Sequence, residues 1–239
     1  MPRYGMLPAM LTPQQFEALR EIDTPTICNA IEPFEVRRDS EGFMGWNIRC
    51  QFPDLGVMLG YAVTATVDSM TPSRELSRAP MLRLWEAVAA APKPAVLVFK
   101  DISPRNSHAC HCGDVMANTA HALGAIGLVT DGGIRDLDGV RGLGFHYFAP
   151  GMTPAHGRFQ VVDVNVPVAV SEVEVVPGDL IHGDANGVVK IPLEIAADLP
   201  RAAAEVVARE QEMIDFVRGP DFSLDGLRER FGLADSSVE

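Results

Sequence analysis

The sequence contains few cysteines and no long apolar run. Its four cysteines, Cys28, Cys50, Cys110 and Cys112, are spread through 239 residues, far below the density of a disulfide-stapled scaffold. No stretch approaches the roughly 18 consecutive apolar residues of a membrane-spanning helix. The apolar stretch at the start is too short, and interrupted by proline, for a secretion signal. We therefore expect free thiols, a cytoplasmic location and no membrane partner.

Basic residues are also scarce relative to acidic ones. Lysine and arginine number 20 against 32 aspartates and glutamates, which gives a net charge of −12 at pH 7. Because such a surface repels phosphate backbones, we expect no nucleic-acid partner. The same charge repels an acidic small molecule at long range, so a site for one needs positive groups of its own.

Helical and strand patterns alternate through the middle of the chain, and strand patterns dominate after residue 160. This order predicts an α/β fold, a single layered domain over residues 1–239 with a mixed β-sheet core flanked by helices. A C-terminal helical extension is predicted from about residue 193. The predicted helices are 12–22, 27–32, 81–91, 114–123, 193–218 and 223–231. The predicted strands are 59–67, 95–101, 125–131, 145–151, 160–170, 171–176 and 187–192, and residues 33–58 are predicted as loop.

The start of the helix after residue 113 is a candidate anion site. Gly113 permits close approach of the backbone, and Asp114 suits the N-cap position. The amides of Val115 and Met116 then lie at the positive end of the helix. Taken alone, this fragment is more often an ordinary capped helix.

A second polar group follows the buried strand 125–131. Ligands bind at the carboxyl ends of strands in α/β sheets, and Arg135 and Asp136 come just beyond this one. The planar guanidinium of Arg135 suits a bidentate grip on a carboxylate, and Asp136 offers the hard oxygen that magnesium prefers. The alternative is a pair of surface residues with partners nearby.

Several motifs in order resemble the RraA-like family, which includes class II 4-hydroxy-4-methyl-2-oxoglutarate and 4-carboxy-4-hydroxy-2-oxoadipate aldolases. The resemblance covers about residues 24–219 and implies a swivelling β/β/α fold. The motifs are TPTICNAI, GYAVTATV, GDVM, GAIGLVTDGGIRD, HYFAPG, VPVAV and VVPGDLIHGDANGVVKIP, followed by the closing helix.

The resemblance implies roles for individual residues. Arg135 corresponds to the arginine that binds the pyruvyl carboxylate, and Asp136 to the aspartate that binds Mg²⁺ or Mn²⁺. Asp114 corresponds to an acidic residue beside the metal's waters, within the segment 113–116 whose amides contact substrate. A glutamate from the C-terminal helix of a neighbouring subunit completes the site in related aldolases, and either Glu210 or Glu212 matches it.

The activity implied is a divalent-metal-dependent retro-aldol cleavage of a 4-hydroxy-2-oxo acid that releases pyruvate. Oxaloacetate decarboxylation is an expected side activity, since it passes through the same enolate. The implied assembly is a homotrimer or a hexamer. Two alternatives remain open: a non-catalytic regulator of ribonuclease activity, and a related lyase or dehydratase that acts on a sugar acid.

The segment HACHC, residues 108–112, departs from the family pattern. Its histidines and cysteines raise the possibility of zinc, but their spacing matches no standard zinc motif. We predict instead a loop that lines the pocket. Residues 33–58 and 69–78 are also unusual, which leaves the identity of the substrate open.

Overall fold

A mixed sheet of eight strands forms the centre of the protein in a computed structural model that describes residues 11–70 and 78–233. In order across the sheet, the strands are β1 (Arg49–Cys50), β7 (His146–Ala149), β5 (Ala125–Thr130), β3 (Ala95–Asp101), β2 (Met58–Asp68), β12 (Leu180–Asp184) and β13 (Gly187–Ile191), and β9 (Gln160–Val164) pairs with β2 beyond this path. Strands β2, β3, β5 and β7 run parallel to one another, whereas β1, β9, β12 and β13 pair antiparallel with their neighbours. The predicted α/β class with a mixed sheet is confirmed.

The described strands are β1 (Arg49–Cys50), β2 (Met58–Asp68), β3 (Ala95–Asp101), β4 (Cys110–Cys112), β5 (Ala125–Thr130), β6 (Gly133–Ile134), β7 (His146–Ala149), β8 (Gly151–Met152), β9 (Gln160–Val164), β10 (Val168–Val170), β11 (Val173–Val175), β12 (Leu180–Asp184) and β13 (Gly187–Ile191). The described α-helices are α1 (Pro13–Arg20), α2 (Thr24–Ile31), α3 (Ala79–Ala90), α4 (Asp114–Ala122), α5 (Leu137–Gly142), α6 (Leu199–Arg218) and α7 (Leu224–Arg230).

Side chains that alternate along the central strands form an apolar core on each face of the sheet, so the sheet lies between two outer layers. Leu97 and Phe99 of β3 face one core shared with α3, α4 and α5. Val96 and Val98 of the same strand face a second core, shared with the β10–β11 hairpin. Side chains of successive residues point to opposite faces of a sheet, so a strand buried on both faces is apolar along its buried part, as β3 is from Ala95 to Phe99.

A third core joins the two ends of the chain. Helices α1, α2 and α6 pack together over Leu59, Tyr61, Leu180 and Val189 at one end of the sheet. The Thr12 hydroxyl and the Gln15 side chain cap α1 reciprocally. No helix among residues 11–70 and 78–233 has the length and apolarity to cross a membrane.

Three predicted boundaries are wrong. Helix α6 begins at Leu199 rather than 193, because residues 193–198 form tight turns that bury Ile195 and Ala196. The predicted strand 145–151 breaks at Pro150, and its last residues join a different sheet, as β8. Residues 33–58 are mostly loop, but include β1 at the sheet edge.

The remaining corrections concern residues 171–176. They do not form one strand, because Ser171 and Glu172 take left-handed backbone angles in the turn between β10 and β11. Helices α1, α2, α3 and α7 differ from prediction only near their ends, where boundaries are least certain from sequence. The extent of a single domain over residues 1–239 stays a prediction.

Candidate functional site

A small parallel sheet carries the candidate site. Strand β6 lies between β4 and β8, with Cys110 opposite Gly133 and Cys112 opposite Ile134. The amide of Arg135 donates to the Cys112 carbonyl oxygen at 3.1 Å, which extends the β4–β6 pairing by one step. Arg135 and Asp136 are therefore held beside the chain that leads into α4.

A cavity of about 610 Å³ opens at the start of α4. Its wall combines cationic, acidic and apolar side chains from four segments of the chain. The lining residues are Arg78, Met81, Cys110, Cys112, Gly113, Asp114, Val115, Met116, Arg135, Asp136, His156, Phe159 and Gln160.

The Asp136 carboxylate is held at the amino end of α4. Its Oδ2 accepts a hydrogen bond from the backbone amide of Asp114 at 3.0 Å. Asp136 itself takes a left-handed backbone conformation, with φ 59° and ψ 43°, at the N-cap position of α5. Aspartate and asparagine tolerate this region better than most residues. The α4 end therefore attracts a carboxylate, as a helix N-terminus should.

The Arg135 guanidinium faces the same carboxylate. Its Nε lies 3.4 Å from Asp136 Oδ2 but is buried without a well-aligned hydrogen-bond acceptor among the described residues. One terminal nitrogen reaches the Pro154 carbonyl oxygen at 3.5 Å. Because the side chain is still 35% exposed, the guanidinium retains donors for an anion entering the cavity.

Gly113 makes room for this arrangement. A β carbon at position 113 would lie 2.4 Å from Asp136 Oδ2 and 3.0 Å from Arg135 Nε. Any side chain there would displace the carboxylate, the guanidinium or the backbone. Gly113, rather than the predicted Asp114, is the N-cap residue of α4, and Asp114 is the first helical residue.

His111 anchors the inner face of β4. Its Nε2 lies 2.9 Å from Asp101 Oδ2, and its Nδ1 lies 2.7 Å from the Thr130 hydroxyl. The Ser69 hydroxyl donates to the same Asp101 oxygen. Burial would raise the pKa of Asp101, but hydrogen bonds from His111, Ser69 and Ser103 outweigh it and hold that pKa below its usual range.

The cysteines of β4 point the other way, towards the cavity. Burial raises the pKa of the Cys110 thiol, and raises that of Cys112 to about 12. Both are therefore protonated at neutral pH and weak nucleophiles. The sequence predicts residues 108–112 to be a loop that lines the pocket. Cys110 and Cys112 do line the cavity, but residues 110–112 form a strand, and its alternation directs His111 away from the two thiols.

Comparison with known families matches residues 24–190 to the RraA-like model, described as Aldolase/RraA. The match covers more than half of the chain. The chain belongs to the RraA-like family.

Sequence relatives match a little under half of this RraA-like chain. A protein of Halalkalibacterium halodurans, provisionally named a 4-hydroxy-4-methyl-2-oxoglutarate aldolase, is 36% identical over 110 residues, or 44% of this chain and 52% of its own length. An uncharacterized protein of Methanocaldococcus jannaschii is 33% identical over 111 residues, or 46% of this chain and 53% of its own length. The matched region thus spans about half of each relative.

Solved structures share the fold over most of the chain. RraAS2 of Streptomyces coelicolor, described as an unusual member of the RNase ES inhibitor RraA protein family, aligns with a TM-score of 0.67 and 25% identity, covering 86% of this chain and 98% of its own. An uncharacterized Pseudomonas syringae protein aligns with a TM-score of 0.72 and 22% identity, covering 96% of this chain and 100% of its own. The second likeness shows the fold alone.

The RraA-like chain brings most predicted site residues to one cavity. Gly113, Asp114, Val115, Met116, Arg135 and Asp136 all line it. Glu210 and Glu212 do not, because α6 packs against α1 and α2, where Asn29 donates to Glu210 at 3.1 Å. The functional roles of all eight residues stay predictions.

Sequence patterns missed five residues of the cavity wall. Arg78 and Met81 come from the start of α3, and His156, Phe159 and Gln160 from the segment that enters β9. None stands in a motif, and their proximity to Arg135 follows from the pairing of β9 with β2 and from the packing of α3 against β9. The unusual composition of residues 69–78 is the one signal that bears on Arg78; residues 71–77 lie outside the described part.

The donor set around Asp136 fits a hard divalent cation better than zinc. No group of three or more histidine, cysteine, aspartate or glutamate side chains within residues 11–70 and 78–233 is arranged to hold a metal. Structural zinc takes four protein ligands and catalytic zinc three, whereas magnesium often takes one or two carboxylates and keeps its waters. Asp136, with Asp114 nearby, offers the one or two carboxylates that magnesium takes.

We predict that His111→Gln destabilises the protein by about 2–4 kcal/mol, because it leaves the buried Asp101 carboxylate short of a donor. His121→Gln is the matched control, since His121 is exposed on α4, and should change stability by less than about 0.5 kcal/mol. Urea unfolding measures both. Equal stabilities of the two variants would show that the His111 contacts contribute nothing.

Proposed function

We propose that this protein is a divalent-metal-dependent lyase that cleaves a 4-hydroxy-2-oxo acid by a retro-aldol reaction and releases pyruvate. The observation that carries the proposal is the placement of Arg135 and Asp136 side by side at the amino end of α4, facing an open cavity. The provisional aldolase name of the H. halodurans relative supports it.

Substrate binding depends on the positive groups at the cavity. Arg135 grips the 2-oxo acid carboxylate, since its planar fork matches two carboxylate oxygens. The first-turn amides of Val115 and Met116 have no partner within the helix, and they add donors on the same side. These local charges offset the repulsion that an acidic protein exerts on an acidic substrate.

Asp136 would hold Mg²⁺ or Mn²⁺. The bound cation supplies Lewis acidity that stabilises negative charge on the 2-oxo oxygen. Asp114 accepts the proton of the C4 hydroxyl, directly or through water. The C3–C4 bond then breaks, its electron pair becomes the enolate of pyruvate, and protonation at C3 yields pyruvate. Oxaloacetate decarboxylation reaches the same enolate and is proposed as a side activity.

Assembly into a trimer or hexamer completes the proposed site. Within one chain, the Asp136 region has few acidic groups beyond Asp114, and Glu210 and Glu212 are exposed on α6. In a closed ring each subunit presents the same surface to its neighbour, so α6 of one subunit can bring either glutamate to the next subunit's cavity.

The free thiols suit a reducing cytoplasm.

Inhibition of a ribonuclease is the second candidate, supported by the likeness to RraAS2. A pyruvate-release assay on a panel of 2-oxo acids, with a ribonuclease E-type inhibition assay beside it, distinguishes the two. Inhibition without pyruvate release on any member of the panel would favour the regulator.

We predict that EDTA abolishes pyruvate release and that Mg²⁺ restores it. Asp136→Asn should lower the restored kcat/KM on the order of 10²-fold or more, because asparagine keeps the left-handed backbone but loses the ligand charge. Asp138→Asn, two residues away and exposed, is the control and should stay near wild type. Full turnover of the wild-type protein in EDTA would disprove the metal mechanism.

Arg135→Lys should lower kcat/KM by on the order of 10²-fold, because lysine keeps the charge and loses the two-pronged contact. Arg141→Lys is the control, since Arg141 pairs with Asp54 outside the cavity. Steady-state kinetics with the best substrate of the panel measure both. Near-normal kinetics of Arg135→Lys would refute the assigned grip.

Mixing two inactive variants tests the shared site. Subunits with Asp136→Asn, refolded with subunits carrying Glu210→Gln and Glu212→Gln together, should recover activity, because mixed rings contain some intact sites. Refolding each variant with itself is the control. An active monomer by light scattering, or no recovery in verified mixed rings, would contradict the proposal.

A further inference from the structure

The side of Gly139 that would carry a side chain is filled by the Asp114 carboxyl group. A β carbon at position 139 would lie 2.4 Å from Asp114 Oδ1 and 3.0 Å from its Cγ and Oδ2. These are the three nearest heavy atoms to that position. Carbon–oxygen contacts do not come this close, so the carboxyl group occupies space that only glycine leaves open.

Gly139 and Gly113 act on the two carboxylates in the same way. The Asp114 carboxyl group lies over Gly139 on α5, and the Asp136 carboxylate lies over Gly113 before α4. Each aspartate thus projects across the junction of α4 and α5 onto a glycine of the other's segment. The Asp136 carboxylate is also fixed by a hydrogen bond from the Asp114 amide. Among residues 11–70 and 78–233 no hydrogen bond from α5 holds the Asp114 side chain, so the shape of the α5 surface sets its position.

We propose that Gly139 is a positioning residue that sets the place of the Asp114 carboxyl group in the cavity wall. The catalytic consequence rests on the proposed function, because it takes Asp114 as the proton acceptor. The claim that Gly139 sets the position of the Asp114 carboxyl group does not rest on the proposed function. Gly139 itself contacts no substrate in this scheme, and it acts through Asp114.

Replacement of Gly139 by alanine has two separable effects. Alanine favours a helix over glycine, so α5 should not lose stability. The new methyl group conflicts with the end of an exposed side chain that can rotate, so Asp114 moves while the backbone stays. Activity should therefore fall without a loss of stability.

Gly142 provides a matched control. It lies on the same helix, is also exposed, and an added β carbon there meets nothing within 4 Å. Gly142→Ala gives the same gain in helix propensity without touching Asp114. A difference between the two variants thus reports the Asp114 contact rather than the loss of a glycine.

The experiment combines structure, stability and a double-mutant cycle. Crystal structures and melting temperatures are determined for wild type, Gly139→Ala and Gly142→Ala. Kinetics and Mn²⁺ affinity are then measured for Gly139→Ala with and without Asp114→Ala. Mn²⁺ binding requires no turnover, so the double-mutant cycle can be completed with Mn²⁺ affinities even where Asp114→Ala is inactive.

Gly139→Ala should show a displaced Asp114 carboxyl group, an unchanged or higher Tm, and a kcat lower by roughly 10- to 100-fold with little change in KM. In the Asp114→Ala background it should have no further effect, because the group it displaces is gone. Gly142→Ala should match wild type in kcat.

An unmoved Asp114 in crystals of Gly139→Ala, or an equal loss of kcat with and without Asp114, would overturn the inference. Failure of the proposed function gives a different result, in which wild type releases no pyruvate. The crystal structures still decide the position of Asp114 in that case.

Discussion

The hydrogen bond from the Asp114 amide to the Asp136 carboxylate holds the candidate site together. It links the turn after β6 to the first turn of α4, two segments 22 residues apart in sequence. Three features accompany this hydrogen bond. Asp136 takes a left-handed backbone conformation, Gly113 has no side chain to collide with the carboxylate, and Arg135 approaches the same oxygen. The carboxylate thus satisfies a helix end while it remains accessible from the cavity.

The hydrogen-bonded core around His111 keeps that junction in place. His111 joins β4 to the ends of β3 and β5 through Asp101 and Thr130. Strand β4 pairs with β6, and β6 leads directly to Arg135. A polar core of this kind is costly when any member is unsatisfied, so it fixes the register of β4 more tightly than apolar packing alone.

The sequence predicted the layers well because β3 and β5 each carry an unbroken apolar run, over residues 95–99 and 125–129, and the helices show regular periodicity. It also predicted that residues 113–116 lie beside Arg135 and Asp136, since local motifs mark both ends of this segment. It did not predict that Arg78, His156 and Gln160 share this cavity, because the long-range pairing of β9 with β2 and the packing of α3 against β9 bring them there. The start of α6 was also missed, since the tight turns before it have the apolar spacing of a helix.

Strand β4 assigns separate tasks to neighbouring positions. Its middle residue, His111, belongs to the polar core, while Cys110 and Cys112 form part of the cavity wall. A change at either outer position alters the wall that a ligand meets and leaves the His111 hydrogen bonds to Asp101 and Thr130 in place. A change at the middle position removes those hydrogen bonds, so the lining of the cavity and the anchoring of the strand can be altered separately.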